Sequence, residues 1–141
     1  MSAILLAQSE VGFALKIPFF LSSVSAGFPS PAQDYIEKTL DLNELLIQRP
    51  AATYFVRVEG DSMIEAGIHH TDILIVDRSL SAKHGDIVIA SVEGELTVKQ
   101  LELQPTCRLI PRNRNYKPIT LPEGSELELF GVVTNVIHSV R

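Results

Sequence analysis

From residue 53 onward the apolar residues recur at every second position or gather in short branched runs, and nothing else in the chain constrains its fold as strongly. Tyr54, Val56 and Val58 alternate with Phe55, Arg57 and Glu59, the period of a strand with one buried face. Residues 73–76 (ILIV) are too few for a helix and rich in β-branched side chains, which reads as a buried strand. Residues 86–92 and 95–103 flank Glu93-Gly94, a pair suited to a tight hairpin turn. Residues 108–110 form a further short strand, and 127–140 are strand-rich with Gly131 as a bend or bulge. Strands at such intervals, separated by turn residues, predict a mainly β fold, compact and mostly antiparallel.

The N-terminal part reads differently. Pro18, Gly27, Pro29 and Pro31 punctuate residues 1–30, which predicts an irregular arm resting on a body. Asp41 and Glu44 have capping-box spacing, Leu42, Leu45 and Leu46 share one helical face, and Pro50 closes the segment. A short helix is expected over 42–49. The expected organisation is a flexible arm over residues 1–40 and a β-rich domain over 41–141.

Of the 141 residues, 45% are hydrophobic, enough for a real core. Seventeen acidic against 12 basic residues give a net charge of -5, which argues against direct, charge-driven DNA binding. The single cysteine, Cys107, excludes an intrachain disulfide and every multi-cysteine metal site. No apolar run approaches the ~20 residues of a membrane helix. The start (MSAILLAQSEVGFALK) lacks the basic region of a secretory signal, so a cytoplasmic protein without a membrane partner is expected.

The segment 60–68 (GDSMIEAGI) carries the first candidate for chemistry. A helical turn at 62–66, ended by Gly67 in a left-handed conformation, places Ser62 among free backbone N–H groups. Such donors can hold an oxyanion, and the same pattern equally suits Asp61 or Ser62 as a simple helix cap. A nucleophilic serine needs a base. His69, His70, His84 and His138 show no triad spacing, and adjacent His69 and His70 diverge, so they do not readily share a metal. Lys99 falls on one strand face with Thr97, Leu101 and Leu103, where burial would favour the neutral amine. It could instead guard an edge strand. Ala26-Gly27, small residues between Val24 and Phe28, suit a narrow cleft as a scissile bond or serve as plain linker. Arg108, Arg112 and Arg114 read as a solvated basic loop, and Glu123, Glu126 and Glu128 as solvated positions.

GDSM at 60–63, TVK at 97–99 and Ala26-Gly27 together resemble the LexA/UmuD family of self-cleaving Ser–Lys peptidases, on its UmuD side. FPSPAQDYIE, DLNELLIQ, ATYFV, LIVDRSL, HGDIVIA, LIPRN and FGVVTNVIHSVR extend the resemblance from about Ile17 to the end. The resemblance implies Ser62 as nucleophile, Lys99 as general base, Ala26-Gly27 as the bond cut, and the Ser62 and Met63 N–H groups as oxyanion donors. It also implies stimulation by a RecA–single-stranded DNA filament, a homodimer before and after cleavage, and a product acting with a UmuC-like Y-family DNA polymerase in translesion synthesis. No cofactor or metal follows from it. Only 26 residues precede the bond, too few for a helix-turn-helix domain with its own core, which argues against a repressor. The apolar stretch 129–140 could extend a sheet across a symmetric interface. The competing reading is a non-enzymatic dimeric interaction subunit with a degenerate peptidase fold.

Overall fold

A computed structural model describes residues 2–8, 16–20, 36–122, 124 and 126–141. Its strands are β1 (Ser2–Gln8), β2 (Lys16–Phe20), β3 (Ile36–Asp41), β4 (Thr53–Glu59) and β5 (Ile73–Asp77). They continue as β6 (Ile87–Val92), β7 (Glu95–Glu102), β8 (Arg108–Ile110), β9 (Ile119–Thr120) and β10 (Leu129–Ile137). One helix, α1 (Leu42–Leu46), and two 3-10 turns, Pro50–Ala52 and Ile64–Ala66, complete the described elements. They fall into two compact units, residues 2–8 with 49–141 and residues 16–20 with 36–48.

The larger unit is built on an eight-stranded sheet in the order β1-β4-β5-β10-β6-β7-β8-β9, antiparallel throughout. Ser2 also pairs with Thr97, so the sheet curls until β1 meets β7. Alternation does the rest. Val56 and Val58 of β4, Leu74 and Val76 of β5, Ile89 of β6 and Val98 of β7 form one buried cluster with Met63 and Ile68. The opposite parity of β6 and β7 supplies Val88, Ala90 and Leu101 to a second cluster with Leu109 and Val132. Each fully buried aliphatic side chain contributes about 1.5–3 kcal/mol relative to exposure. The mainly β, mostly antiparallel fold expected from the period-two pattern is what the chain adopts.

The hairpin turn is where the sequence puts it. Val92 pairs with Glu95 across Glu93 and Gly94, whose φ values are 51° and 82°, the conformation that matches strand twist in a two-residue loop. Gly131 sits at a register shift between Leu129 and Gly131 in the β10–β6 ladder, the expected bulge. A Cβ there would lie 2.7 Å from Val76 Cγ1 and 3.2 Å from the Asp77 carbonyl oxygen. Gly131→Ala is therefore expected to destabilise the protein by about 1–3 kcal/mol, the usual range for overpacking a tight interior. A chemical-denaturation midpoint that does not move would show that the strands can separate at no cost.

Two readings need correction. Residues 2–8 and 16–20 are strands, not irregular chain. β1 pairs with β4 from Ser2↔Glu59 to Gln8↔Tyr54, and β2 pairs with β3 in the smaller unit. Pro18 lies opposite Thr39 in that ladder. The helix ends at Leu46 rather than 49, since Ile47 is already extended (φ -117°, ψ 97°). Its start is as expected, with the Asp41 carboxylate accepting from the Asn43 N–H at 3.1 Å. In the strand order β10 lies between β5 and β6, with Val132–Ile137 pairing with β5 and Leu129–Val132 with β6.

Candidate active site

Ser62 follows β4 on a short loop whose apolar residues hold it in place. Met63 and Ile68 are buried in the first cluster, which fixes both ends of the turn between them. Gly67 takes the left-handed conformation expected of it (φ 80°, ψ 19°), and its N–H bonds the Ile64 carbonyl at 3.1 Å. Ser62 is fully buried and does not cap the turn; the cap position belongs to Met63, without a side-chain bond. Among the described residues, no backbone carbonyl accepts from the N–H of Ser62 or Met63.

A second loop laces this one down. Asn113 Nδ2 donates to the Asp61 carbonyl at 2.9 Å, and the Tyr116 hydroxyl donates to the Asp61 carboxylate. That hydrogen bond pushes the Tyr116 phenol above its ordinary value. The Glu65 N–H bonds the Arg112 carbonyl at 2.8 Å, and the Arg114 N–H bonds the Glu65 carboxylate at 3.1 Å. On the other flank the Gly60 N–H donates to His70 Nδ1 at 3.0 Å. Asn113 and Tyr116 went unnoticed in the sequence because they lie 52 and 55 positions from Asp61, with no local motif between.

Lys99 comes from β7, which is paired with β6 on one side and β8 on the other. It is not an edge guard, and only 5% of it is exposed. Its register partner is Val88, and Thr97 and Leu101 share its face; Leu103 lies past the strand and is exposed, contrary to the expected apolar row. Lys99 Nζ donates to Thr97 Oγ1 at 2.8 Å, to the Val98 carbonyl at 3.1 Å and to Ser62 Oγ at 3.2 Å. Burial lowers its pKa from the ordinary lysine value, because the charged ammonium loses water it cannot fully replace. A cleft of about 450 Å³ opens beside it, lined by residues that include Leu96, Thr97, Lys99 and Tyr116.

The structure thus brings Ser62 and Lys99 together across 37 positions of sequence. Ala26 and Gly27 lie outside the described residues. His84 accepts from the Leu103 N–H, and no histidine is a side-chain partner of Ser62 among the described residues. Two of the three arginines are occupied as well. Arg108 grips Glu102 with two nitrogens at 2.8–3.0 Å, and Arg112 Nη1 donates to Gln100. A buried serine against a buried lysine is an arrangement that nucleophilic acyl transfer can use.

The peptidase S24-like family model matches residues 18–134 of this chain. The chain belongs to the peptidase S24-like family. Among its relatives, protein SamA of Salmonella typhimurium is 49% identical over 138 residues, covering 98% of this chain and 96% of SamA. Protein ImpA of Escherichia coli is 51% identical over 125 residues, covering 88% and 85%. The LexA repressor of Alcanivorax borkumensis is 38% identical over 120 residues, covering 84% of this chain and 57% of the repressor. The resemblance to LexA/UmuD peptidases is borne out by these matches, and with it an S24 peptidase fold. No helix among the described residues is long and apolar enough to cross a membrane.

Proposed function

We propose that this S24 peptidase cuts its own Ala26-Gly27 bond with Ser62 as nucleophile and Lys99 as general base. The observation that carries the proposal is the 3.2 Å contact between Lys99 Nζ and Ser62 Oγ, both atoms belonging to buried residues. A neutral amine has two N–H groups and one lone pair. With Thr97 Oγ1 and the Val98 carbonyl as acceptors, the lone pair is left for the Ser62 hydroxyl. Ser62 Oγ attacks the Ala26 carbonyl carbon while its proton passes to Lys99. The Ser62 and Met63 N–H groups receive the oxyanion. Collapse expels the Gly27 amine, which takes the proton back from Lys99, and water then hydrolyses the Ala26 ester by the same base. The products are residues 1–26 and 27–141.

In this reading the segment between β1 and β3 carries the bond, and the larger unit, with Ser62 and Lys99, is the peptidase-like domain. A RecA–single-stranded DNA filament stimulates the cut by raising the population of cleavage-competent chains. The product works in the cytoplasm as a homodimer with a UmuC-like Y-family polymerase in translesion synthesis. Similarity to SamA and ImpA over most of the chain supports this assignment. Exposed Val136, Ile137 and Val140 supply apolar surface for a second copy. Incubation with activated RecA, followed by intact mass, tests the reading: a single new species beginning at Gly27 is expected, and an unshortened chain at all pH values would refute it.

The loop lacing gives a further expectation. Asn113→Ala removes the donor to the Asp61 carbonyl, one residue before the nucleophile. Displacement of a reacting atom by about 1 Å costs on the order of 100-fold in rate. Cleavage should slow by roughly 10- to 100-fold while the circular dichroism spectrum is retained; an unchanged single-turnover rate would mean that this loop holds its position without Asn113.

A further inference from the structure

We propose that His69, Asp72 and His138 form a transition-metal site, best suited to Zn²⁺, outside the Ser62–Lys99 centre. One ligand atom from each lies within 4.8 Å of the other two. The β5–β10 ladder explains why. Ile73 pairs with Ile137, so the next antiparallel position sets Asp72 beside His138 although 66 positions separate them. His138 Nδ1 is 2.6 Å from Asp72 Oδ1. His69 Nδ1 is 3.8 Å from Asp72 Oδ2, and the two imidazole centroids are 4.9 Å apart.

The carboxylate is already oriented. Asp72 is 3% exposed, and its Oδ2 accepts from the His69 backbone N–H at 2.8 Å. A turn closed by the Asp72 N–H and the His69 carbonyl, at 3.1 Å, carries Thr71 at φ 74°, a position that normally calls for glycine. The imidazole side chains are about half exposed, so the cluster is open to solvent on one side while the carboxylate beneath is fixed. Tetrahedral zinc with bonds of about 2.0–2.2 Å places its ligand atoms about 3.4 Å apart, within the spread seen here. Two imidazoles and one carboxylate, with no sulfur, select zinc over magnesium or calcium and leave a fourth position for water. A bound ion would tie the turn that follows the Ser62 loop to the end of β10.

Zinc titration of the tag-free full-length chain against a chromophoric chelator tests this, with Co²⁺ as a geometric probe. One Zn²⁺ per chain is expected, with the intense visible absorption of tetrahedral cobalt when Co²⁺ is bound, and no response to Mg²⁺ or Ca²⁺. His69→Gln and His138→Gln, both at half-exposed positions, should each weaken zinc binding at least tenfold. His84→Gln should leave it unchanged. Absence of stoichiometric zinc binding, an octahedral cobalt spectrum, or affinity undiminished in the His69→Gln/His138→Gln double variant would overturn the site. Equal loss in His84→Gln would do the same, as the mark of diffuse binding.

Discussion

Ser62→Ala and Lys99→Ala should each suppress formation of the 27–141 fragment by roughly 1000-fold or more, and the double variant should be no worse than either alone. Nucleophile and base act as one unit, so removing either costs nearly the whole effect. The geometry makes the lysine half of the prediction sharp. Lys99 Nζ is the side-chain partner of Ser62 Oγ among the described residues, and no histidine stands by to replace it. Fragment yield by intact mass, with and without activated RecA, is the measurement. A Lys99→Ala chain that cleaves at the wild-type rate would remove lysine from the chemistry and leave Ser62 without a base.

The second large effect is on pH. Only the neutral amine can accept the Ser62 proton, and burial lowers the Lys99 pKa from its ordinary 10.5. Below the folded-state value the neutral fraction grows about tenfold per pH unit, so self-cleavage without RecA should rise with unit slope and then level off. A rate that is flat or falls across neutral to alkaline pH, in protein that stays folded, contradicts the mechanism. The same shift has a stability consequence of fixed sign. Between the folded value and 10.5 the unfolded chain binds more protons than the folded one, so stability rises with pH in that window. Lys99→Met should therefore be at least as stable as wild type at neutral pH, and its advantage should shrink as pH climbs. Thermal midpoints of both proteins across that range check the sign.

The strands from residue 53 onward were legible because alternation there coincides with burial: Val56 and Val58 point into one cluster while Arg57 and Glu59 are exposed. Ser62 and Lys99 were legible for two reasons, a loop pattern ending in Gly67 and a lone lysine in an apolar strand. Residues 2–8 and 16–20 are not legible as strands: SAILLAQ shows no period-two alternation, and Pro18 interrupts the second segment although it occupies a two-stranded ladder. The short β9 has too few residues to show a period. Asn113, Tyr116 and the pairing of Asp72 with His138 depend on ladder register and loop packing. Those contacts join residues 50 to 70 positions apart, and no local spacing encodes them.

The placement of β1 gives the proposed cut an outcome beyond chain shortening. β1 belongs to the 1–26 side of the bond, yet its hydrogen bonds run to β4 and, at Ser2, to β7 beside Lys99. Once the bond is broken, the curled sheet becomes a two-chain complex held by noncovalent pairing alone. Contacts that had been intramolecular lose their effective concentration and obey mass action, so the released peptide leaves on dilution and returns at high concentration. Its departure bares the backbone donors and acceptors along Tyr54–Glu59, a vacant berth for a strand from another protein. Scission is then the irreversible half of the event, and a reversible dissociation decides when the new edge is offered.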